Sequence, residues 1–525
     1  MTHVHIKKTV LKSALLLSVG ASTLAMSGAA YAQDNLQDNL DDEVVVTGTR
    51  QVIQDAINLK RQETSIVDGL SASEIGDIPA LSIGDALQTL TSVAAQRDGA
   101  GVSEISIRGL GTFLGSTVIN GREATNGSGN RSVNFSQFPS ELFNKIAVQK
   151  TQEASLIEGG VAGQVQLSTL KPLEYGKRRI QFQVKGNIQP DNLNINNNAR
   201  DVGHRLTGSY VDQFDFGDGQ RLGISIGGQT RRTPIAEQEA RSTSNFEGCT
   251  LSLIASFAGD LDNCDQVGQR AEDTDPVTGD RIGVTEDFVL TSSSRELRQQ
   301  VTDDQRDSIF GAIQYQPNDR IDINLDAQYS KRDTFEERNI ILINAREILA
   351  PGLGLPGFEL TTAPDGSLRT ATTFNGAEHQ SETQDRFEDY IGLGGSIGFD
   401  VTDRLNLFVD ASYSETERTN EIVETRLRTP NLTAGIGILQ NGSEAQQFTL
   451  LDFDINDPNN FARGDSDGSD LRVREDLDAE VSYDISAIRA DLTYDFDNSW
   501  LTQLKAGARF SSQNFTDVPL SLIHI

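Results

Sequence analysis

From about residue 178 onward, segments of strict apolar and polar alternation are joined by connections of two kinds in turn, one very short and the next very long. Ile321, Ile323, Leu325, Ala327 and Tyr329 alternate with Asp322, Asn324, Asp326, Gln328 and Ser330. Leu405, Leu407, Val409, Ala411 and Tyr413 do the same against Asn406, Asp410, Ser412 and Ser414. Period-two patterning gives each segment one apolar and one hydrophilic face, which defines a β-strand. The short connections are Gly217 to Gly219, Pro317 to Asp319, Thr402-Asp403 and Asp497-Asn498; the long ones span roughly 232–304, 333–384 and 418–479. Strand starts near 178, 204, 220, 306, 320, 386, 405, 481 and 499 put every short turn at one end and every long loop at the other. A soluble sandwich does not tolerate so many long loops, whereas a transmembrane barrel has short turns on one side and long loops on the other.

Composition agrees. Mean hydropathy is −0.37, and no apolar run is long enough for a membrane helix. With 45 Lys and Arg against 76 Asp and Glu, the net charge of −31 repels phosphate backbones, so nucleic acid is not an expected partner. The five histidines are scattered, and no metal site, cofactor or catalytic constellation is expected. Two G-x-S-x-G matches, Gly223 to Gly227 and Gly394 to Gly398, fall inside alternating strands instead of the strand-to-helix turn that a hydrolase needs. The acidic run Asp465 to Asp470 lacks the spacing and closing Glu of a calcium loop. The chain is therefore not expected to be an enzyme.

At the N-terminus, Lys7, Lys8 and Lys12 precede an apolar core and Ala30-Tyr31-Ala32, the pattern of a signal peptide over residues 1–32. A polar, acidic arm follows, and within it Asp42 to Arg50 reads DEVVVTGTR. A β-prone segment in a flexible arm can add to the edge of another protein's sheet; the alternative is the first strand of the next domain. Residues 51–175 mix short helical and strand signals. These include a capped helix opening at Ser82 to Asp85, strands at Glu104 to Arg108 and Ser116 to Asn120, and turns at Gly109 to Gly111 and Asn120-Gly121. Cys249 and Cys264 share one long loop of an exported chain; one bridge between them would contribute about 3 kcal/mol in a chain-entropy model.

An exported chain with such a box, then a compact α/β region, then a barrel, resembles the TonB-dependent receptors of the Gram-negative outer membrane. DEVVVTGTR looks like their TonB box. The segments IGDIPALSIGDALQTLTSV (75–93), ISIRGLG (105–111), VINGRE (118–123) and FPSELFNKIAVQKTQEASLIEGGVAGQVQLSTLKP (138–172) are similar to their plug domain, especially in the branch associated with carbohydrate uptake in Caulobacter- and Xanthomonas-like bacteria. Thr91-Ser92-Val93 stands where the family commonly has Pro-Gly-Val, and no signalling domain separates Ala32 from the box. The resemblance implies a transmembrane antiparallel β-barrel with an N-terminal α/β plug domain in its lumen. About nine strands are present here, an odd number that leaves unpaired edges in lipid. The expected organisation is thus signal peptide 1–32, arm and box 33–50, plug 51–175 and partial barrel 176–525, an incomplete product whose last half-dozen residues need not be native.

What the resemblance implies for function is TonB-energised import across the outer membrane, with TonB and outer-membrane lipid as partners. Asp42, Glu43, Val44, Val45, Val46, Thr47 and Gly48 would engage TonB. The plug's outward loops would meet an oligosaccharide, or alternatively a ferric chelate, through Phe113, Asn126, Asn130, Arg131 and Phe135; the competing reading makes these ordinary turn residues and core aromatics. Arg108, Arg122 and Glu123 would form plug-to-barrel ion pairs. A passive porin would lack box and plug, and an adhesin would need binding repeats.

Overall fold

The computed structural model describes Ile57, Lys60, Arg61 and the chain from Ser65 onward, except residues 72–82, 99–100, 128–134, 136–137, 139–142, 189–201, 243–245, 251–287, 293, 345–359, 365–367, 430–433, 440–446, 452–453, 455–456, 462–470, 498–499, 519–521 and 525. The N-terminal arm with its box, and Cys264, lie outside the described residues.

The first region is a small α/β unit. Strand β1 (Val67–Ser71) is followed by helix α1 (Ile83–Gln88), then by β2 (Val93–Asp98) and β3 (Gly101–Ile107), which pair as a hairpin. Next come β4 (Gly115–Ile119), β5 (Arg122–Glu123), β6 (Phe143–Gln149) and β7 (Gly163–Thr169). They form a five-stranded sheet in the order β1-β6-β7-β4-β5, parallel only between β4 and β7. Its two edges are therefore β1 and β5. The Asn120-Gly121 turn between β4 and β5 holds φ of 52° and 78°, a left-handed pair that Asn and Gly adopt at little cost.

The core of this unit joins α1 to both sheets. Ile83 and Leu87 from the helix, Phe143 and Ile146 from β6, and Phe135 and Phe138 are all at most 1% exposed. Burying each such side chain stabilises by about 1.5–3 kcal/mol. The helix packs so closely that a Cβ at Gly84 would overlap Val102.

After a one-turn helix, α2 (Pro172–Tyr175), the chain enters a second sheet: β8 (Arg179–Ile188), β9 (Val202–Gly217), β10 (Gln220–Ser242), the outlying hairpin β11 (Phe246–Thr250) and β12 (Phe288–Ser292), β13 (Ser294–Asn318), β14 (Ile321–Asn344), β15 (Leu360–Thr362), β16 (Leu368–Thr402), β17 (Leu405–Arg428), β18 (Ala434–Leu439), β19 (Gln447–Leu451), β20 (Leu471–Asp495), β21 (Gln503–Val518) and β22 (Leu522–His524). Its nine principal strands run β8-β9-β10-β13-β14-β16-β17-β20-β21, each antiparallel to the next. Tight reversals join β9 to β10, β13 to β14, and β16 to β17, a short connection joins β20 to β21, and the long segments lie in the connections at the opposite end of the strands. Both G-x-S-x-G matches lie within strands, in β10 and β16.

The wall has two chemically different faces near the short turns. Ile180, Ile226, Ile313, Leu325, Ile397, Ile488 and Phe510 are exposed on one face. The other carries Ser225, Gln229, Gln314, Gln328, Ser396, Asp410 and Ser414, all buried. Ile224, Ile313 and Leu325 are successive cross-strand partners, and Ile323, Ile397 and Val409 continue the apolar band. A crossing strand needs only about 9–11 residues. The 24 residues of β14 and 35 of β16, at about 3.3 Å each, therefore carry the wall well past the bilayer on the long-loop side. This is an incomplete transmembrane barrel, apolar outside and polar inside, and none of its helices is long and apolar enough to cross a membrane among the described residues.

Candidate functional site: the seam between plug and barrel wall

The small α/β unit packs against the polar face of the wall, and the seam starts at the Asn120-Gly121 turn. Asn120 Oδ1 accepts from the Thr169 backbone N–H at 2.9 Å, while its Nδ2 donates to Thr169 Oγ1 at 2.9 Å and to Asp326 Oδ1 at 2.6 Å. The turn is thereby pinned to β7 on one side and β14 on the other, which aims the next side chain at the wall.

That side chain is Arg122. Its Nε and Nη2 donate to Asp410 Oδ2 at 2.9 and 2.7 Å, and Nη1 pairs with Asp326. The guanidinium is 11% exposed. Burial works against its charge, but hydrogen bonds and the field of Asp410 and Asp326 outweigh burial and raise its pKa above the ordinary arginine value. The fork geometry of arginine lets one cation join two strands, β14 and β17. Between them β16 contributes Gly394, where any Cβ would overlap the guanidinium. Bulk is absent from the wall where the arginine lies.

The chain then climbs the wall. Glu123 Oε2 accepts from Arg509 on β21 at 2.6 Å. The Thr125 N–H donates to Ser414 Oγ at 2.9 Å, and its hydroxyl lies 2.9 and 2.8 Å from those of Ser414 and Thr416. Asn126 is fully buried, and a Cβ at Gly127 would come within 2.9 Å of Arg418 and Glu388. Further round, Arg306 donates to the Phe138 carbonyl at 2.8 Å and to Gln229 at 2.7 Å, while Tyr390 packs edge-on against Phe138 with centroids 4.8 Å apart. At the short-turn end the Leu173 N–H donates to Gln314 at 3.0 Å, and Gln213 donates to the Pro172 carbonyl at 2.8 Å. A cavity of about 920 Å³ separates plug from wall there, bounded by Arg122, Lys145, Thr169, Asp322, Asp326 and Asp410.

Arg122 and Glu123 thus meet the wall. Arg108 does not: it sits exposed in a turn at φ 57°, its backbone N–H donating to the Ser92 carbonyl at 2.8 Å, and among the described residues it has no carboxylate partner. The expected ion pair is corrected there, because the left-handed turn holds residue 108 on the exposed side of the hairpin. Of the residues expected to meet a ligand, Phe113 is 63% exposed. Phe135 is 1% exposed within the main apolar core cluster, so it is a packing residue and no open platform. Asn126 is buried at the seam, which leaves it no open face for a ligand in this state. Asn130 and Arg131 lie outside the described residues. Cys249 belongs to β11, opposite Val289, and its expected partner Cys264 lies outside the described residues.

Sequence reading missed the receiving half of the seam: Asp326, Asp410, Ser414, Arg306, Arg509 and Gly394. Asp326 and Asp410 were visible as charged residues on the polar face of alternating strands. That signal marks a lumen position without naming its partner.

Residues 59–164 match the family model described as TonB-dependent Receptor Plug Domain. No curated protein matches the chain. Among solved structures, the chain is similar to the outer membrane transporter YddB from Escherichia coli, at 9% identity and a TM-score of 0.32, over 87% of this chain and 58% of that one. The ferric citrate transporter FecA in the unliganded form aligns at 10% identity and a TM-score of 0.26, over 88% of this chain and 80% of that one. The RagAB peptide importer in its closed-closed state aligns at 10% identity and a TM-score of 0.30, over 85% and 60%. The chain thus spans 58% of the length of YddB. Residues 59–164 are thus similar to the plug domain of TonB-dependent receptors, and in this structure that unit is fastened to the polar inner face of an incomplete β-barrel.

Proposed function

We propose that the protein is an outer-membrane receptor that imports a scarce extracellular solute with energy delivered through TonB. The observation that carries this reading is the seam. A barrel whose lumen holds a domain hydrogen-bonded to β9, β13, β14, β17 and β21 and packed against β16 is no open pore. A passive route also cannot concentrate anything, since a tenfold gradient opposes entry by about 1.4 kcal/mol. Work must therefore displace the plug. Asp42 to Gly48 supply a segment that can pair by main chain with a strand of TonB and transmit force.

Within this reading, residues 1–32 direct export, 33–50 hold the box, 51–175 form the plug and 176–525 form the present part of the barrel. Arg122 and Glu123 retain the plug at rest, and Phe113 offers an aromatic face to the solute. An oligosaccharide is the favoured solute, from the likeness of the plug segments to the carbohydrate-associated branch. Deletion of residues 42–48 tests the energy coupling: accumulation is lost while binding to the cell surface is kept. Abundance of the protein during growth on single oligosaccharides, compared with iron starvation, tests the solute. Induction by iron starvation alone replaces the oligosaccharide with a ferric chelate, and accumulation unaffected by the deletion overturns energised import.

A further inference from the structure

Among the described strands, the one nearest in sequence to the box is β1, an edge strand that pairs there with β6 alone. Five residue pairs hold it, from Val67 opposite Gln149 to Ser71 opposite Lys145. Among the described residues, no hydrogen bond or ion pair joins Ser65 to Ser71 to the barrel wall. Among the described residues, the side-chain contacts that fasten β1 lie within the plug and are concentrated at one end.

That end is the N-terminal one. Gln149 donates to Ser65 Oγ at 2.6 Å, the Ile66 N–H donates to Thr151 Oγ1 at 2.9 Å, and the Lys150 N–H donates to the Ile66 carbonyl at 2.8 Å. Just inside, Asp68 receives Lys150 on one oxygen and Lys60 on the other, and the Thr91 hydroxyl also donates to it. Lys150 donates further to the Thr91 carbonyl at 2.6 Å. The Lys150 and Asp68 side chains are 6% and 10% exposed. Burial acts to raise the Asp68 carboxyl, but the hydrogen bonds from Lys150, Lys60 and Thr91 prevail and hold it well below the usual carboxylate range. The cluster joins four separate stretches of chain: the segment at Lys60, β1, the turn before β2, and the residue that follows β6.

Tension arriving from residues 42–48 enters β1 through Ser65 and so loads this reinforced end first. A strand loaded at one end opens pair by pair, and its first bonds bear the whole load. A buried ion pair suits such a place: it adds little to resting stability, yet losing one partner leaves an uncompensated charge. We propose that Asp68, Lys150, Thr91 and Lys60 form a clasp that sets when the plug yields, and that β1 leaves β6 while the β4 to β7 core and the Arg122 seam stay in place. This rests on the energised-import reading and names the part of the plug that moves.

The test is a reversible cross-link in the full-length receptor. A Val67→Cys/Gln149→Cys bridge ties β1 to β6, and accumulation of the inducing solute is expected to fall at least tenfold and return on reduction, with surface binding unchanged. A Ser116→Cys/Gln164→Cys bridge between β4 and β7, which pair directly, is expected to leave accumulation within twofold. Accumulation that survives the first bridge, or stops with both, overturns the proposal. Hydrogen exchange on Asp68→Asn is a second readout that needs no bridge. The β1 amides are expected to exchange at least tenfold faster with β7 unchanged, and an unaltered β1 overturns the clasp. Normal accumulation after deletion of residues 42–48 refutes energised import instead, and the exchange result then still reports on the clasp.

Discussion

The two edges of the plug sheet are held in opposite ways. At β5, Arg122 reaches out of the plug and bonds to two strands of the barrel; at β1, Asp68 is bonded, among the described residues, only to other parts of the plug. Both use a buried ion pair with more than one partner, so composition does not separate them. Connectivity does. A bond to the wall fixes the plug in its housing, whereas a bond within the plug fixes only the plug's own shape, and an edge strand held that way can be drawn off without unseating the rest.

The largest effect should come from breaking the outer edge. Arg122→Ala leaves Asp326 and Asp410 facing a buried gap without their cation, a loss of about 3–5 kcal/mol for a broken buried pair. The plug is expected to become accessible to protease from the long-loop side, and wild-type resistance in this variant would remove Arg122 from the seam. Gly394→Leu tests the same contact from the wall, since its side chain occupies the guanidinium's place; overpacking of this kind costs about 1–3 kcal/mol, read as a lower thermal midpoint.

Acid should separate the edges next. The folded-state pKa of Asp68 lies below its unfolded value, so its contribution is fully present above about pH 4 and is lost as pH falls through the depressed folded value. Protection of β1 amides is thus expected to be flat between pH 7 and 5 and to decline only in stronger acid. A decline already near pH 6 would contradict the assignment. Smallest of all should be Arg509→Gln, because its ion pair with Glu123 is partly exposed, at 22% and 12%; a change of no more than about 1 kcal/mol is expected.

Much of the wall was legible in the sequence because a β-strand in lipid obeys a period of two and its turns obey a parity. Starts expected near 178, 204, 220, 320 and 405 compare with strands that begin at Arg179, Val202, Gln220, Ile321 and Leu405. Starts near 306, 386 and 481 came late against Ser294, Leu368 and Leu471, since beyond the bilayer the outer face need not be apolar and the alternation fades. Phe135 shows the opposite limit. Its neighbourhood of Gly, Ser and Asn reads as an open loop, but the ring is captured by a core assembled from distant strands. The seam was half legible: Arg122 follows a recognisable turn, while its partners lie 204 and 288 residues away and no local pattern links them. Lys150 and Asp68, 82 residues apart, escaped for the same reason.

Energy coupling is tested most directly by accumulation of the inducing solute, normalised to surface binding, in cells carrying the wild-type receptor or Val45→Pro. Proline removes one backbone donor from the segment meant to pair with TonB and leaves plug and barrel untouched. Energised import through the box predicts unchanged binding with accumulation cut severalfold or more, equal to the wild type after collapse of the proton gradient. Accumulation that is indifferent to both the substitution and the gradient would contradict it.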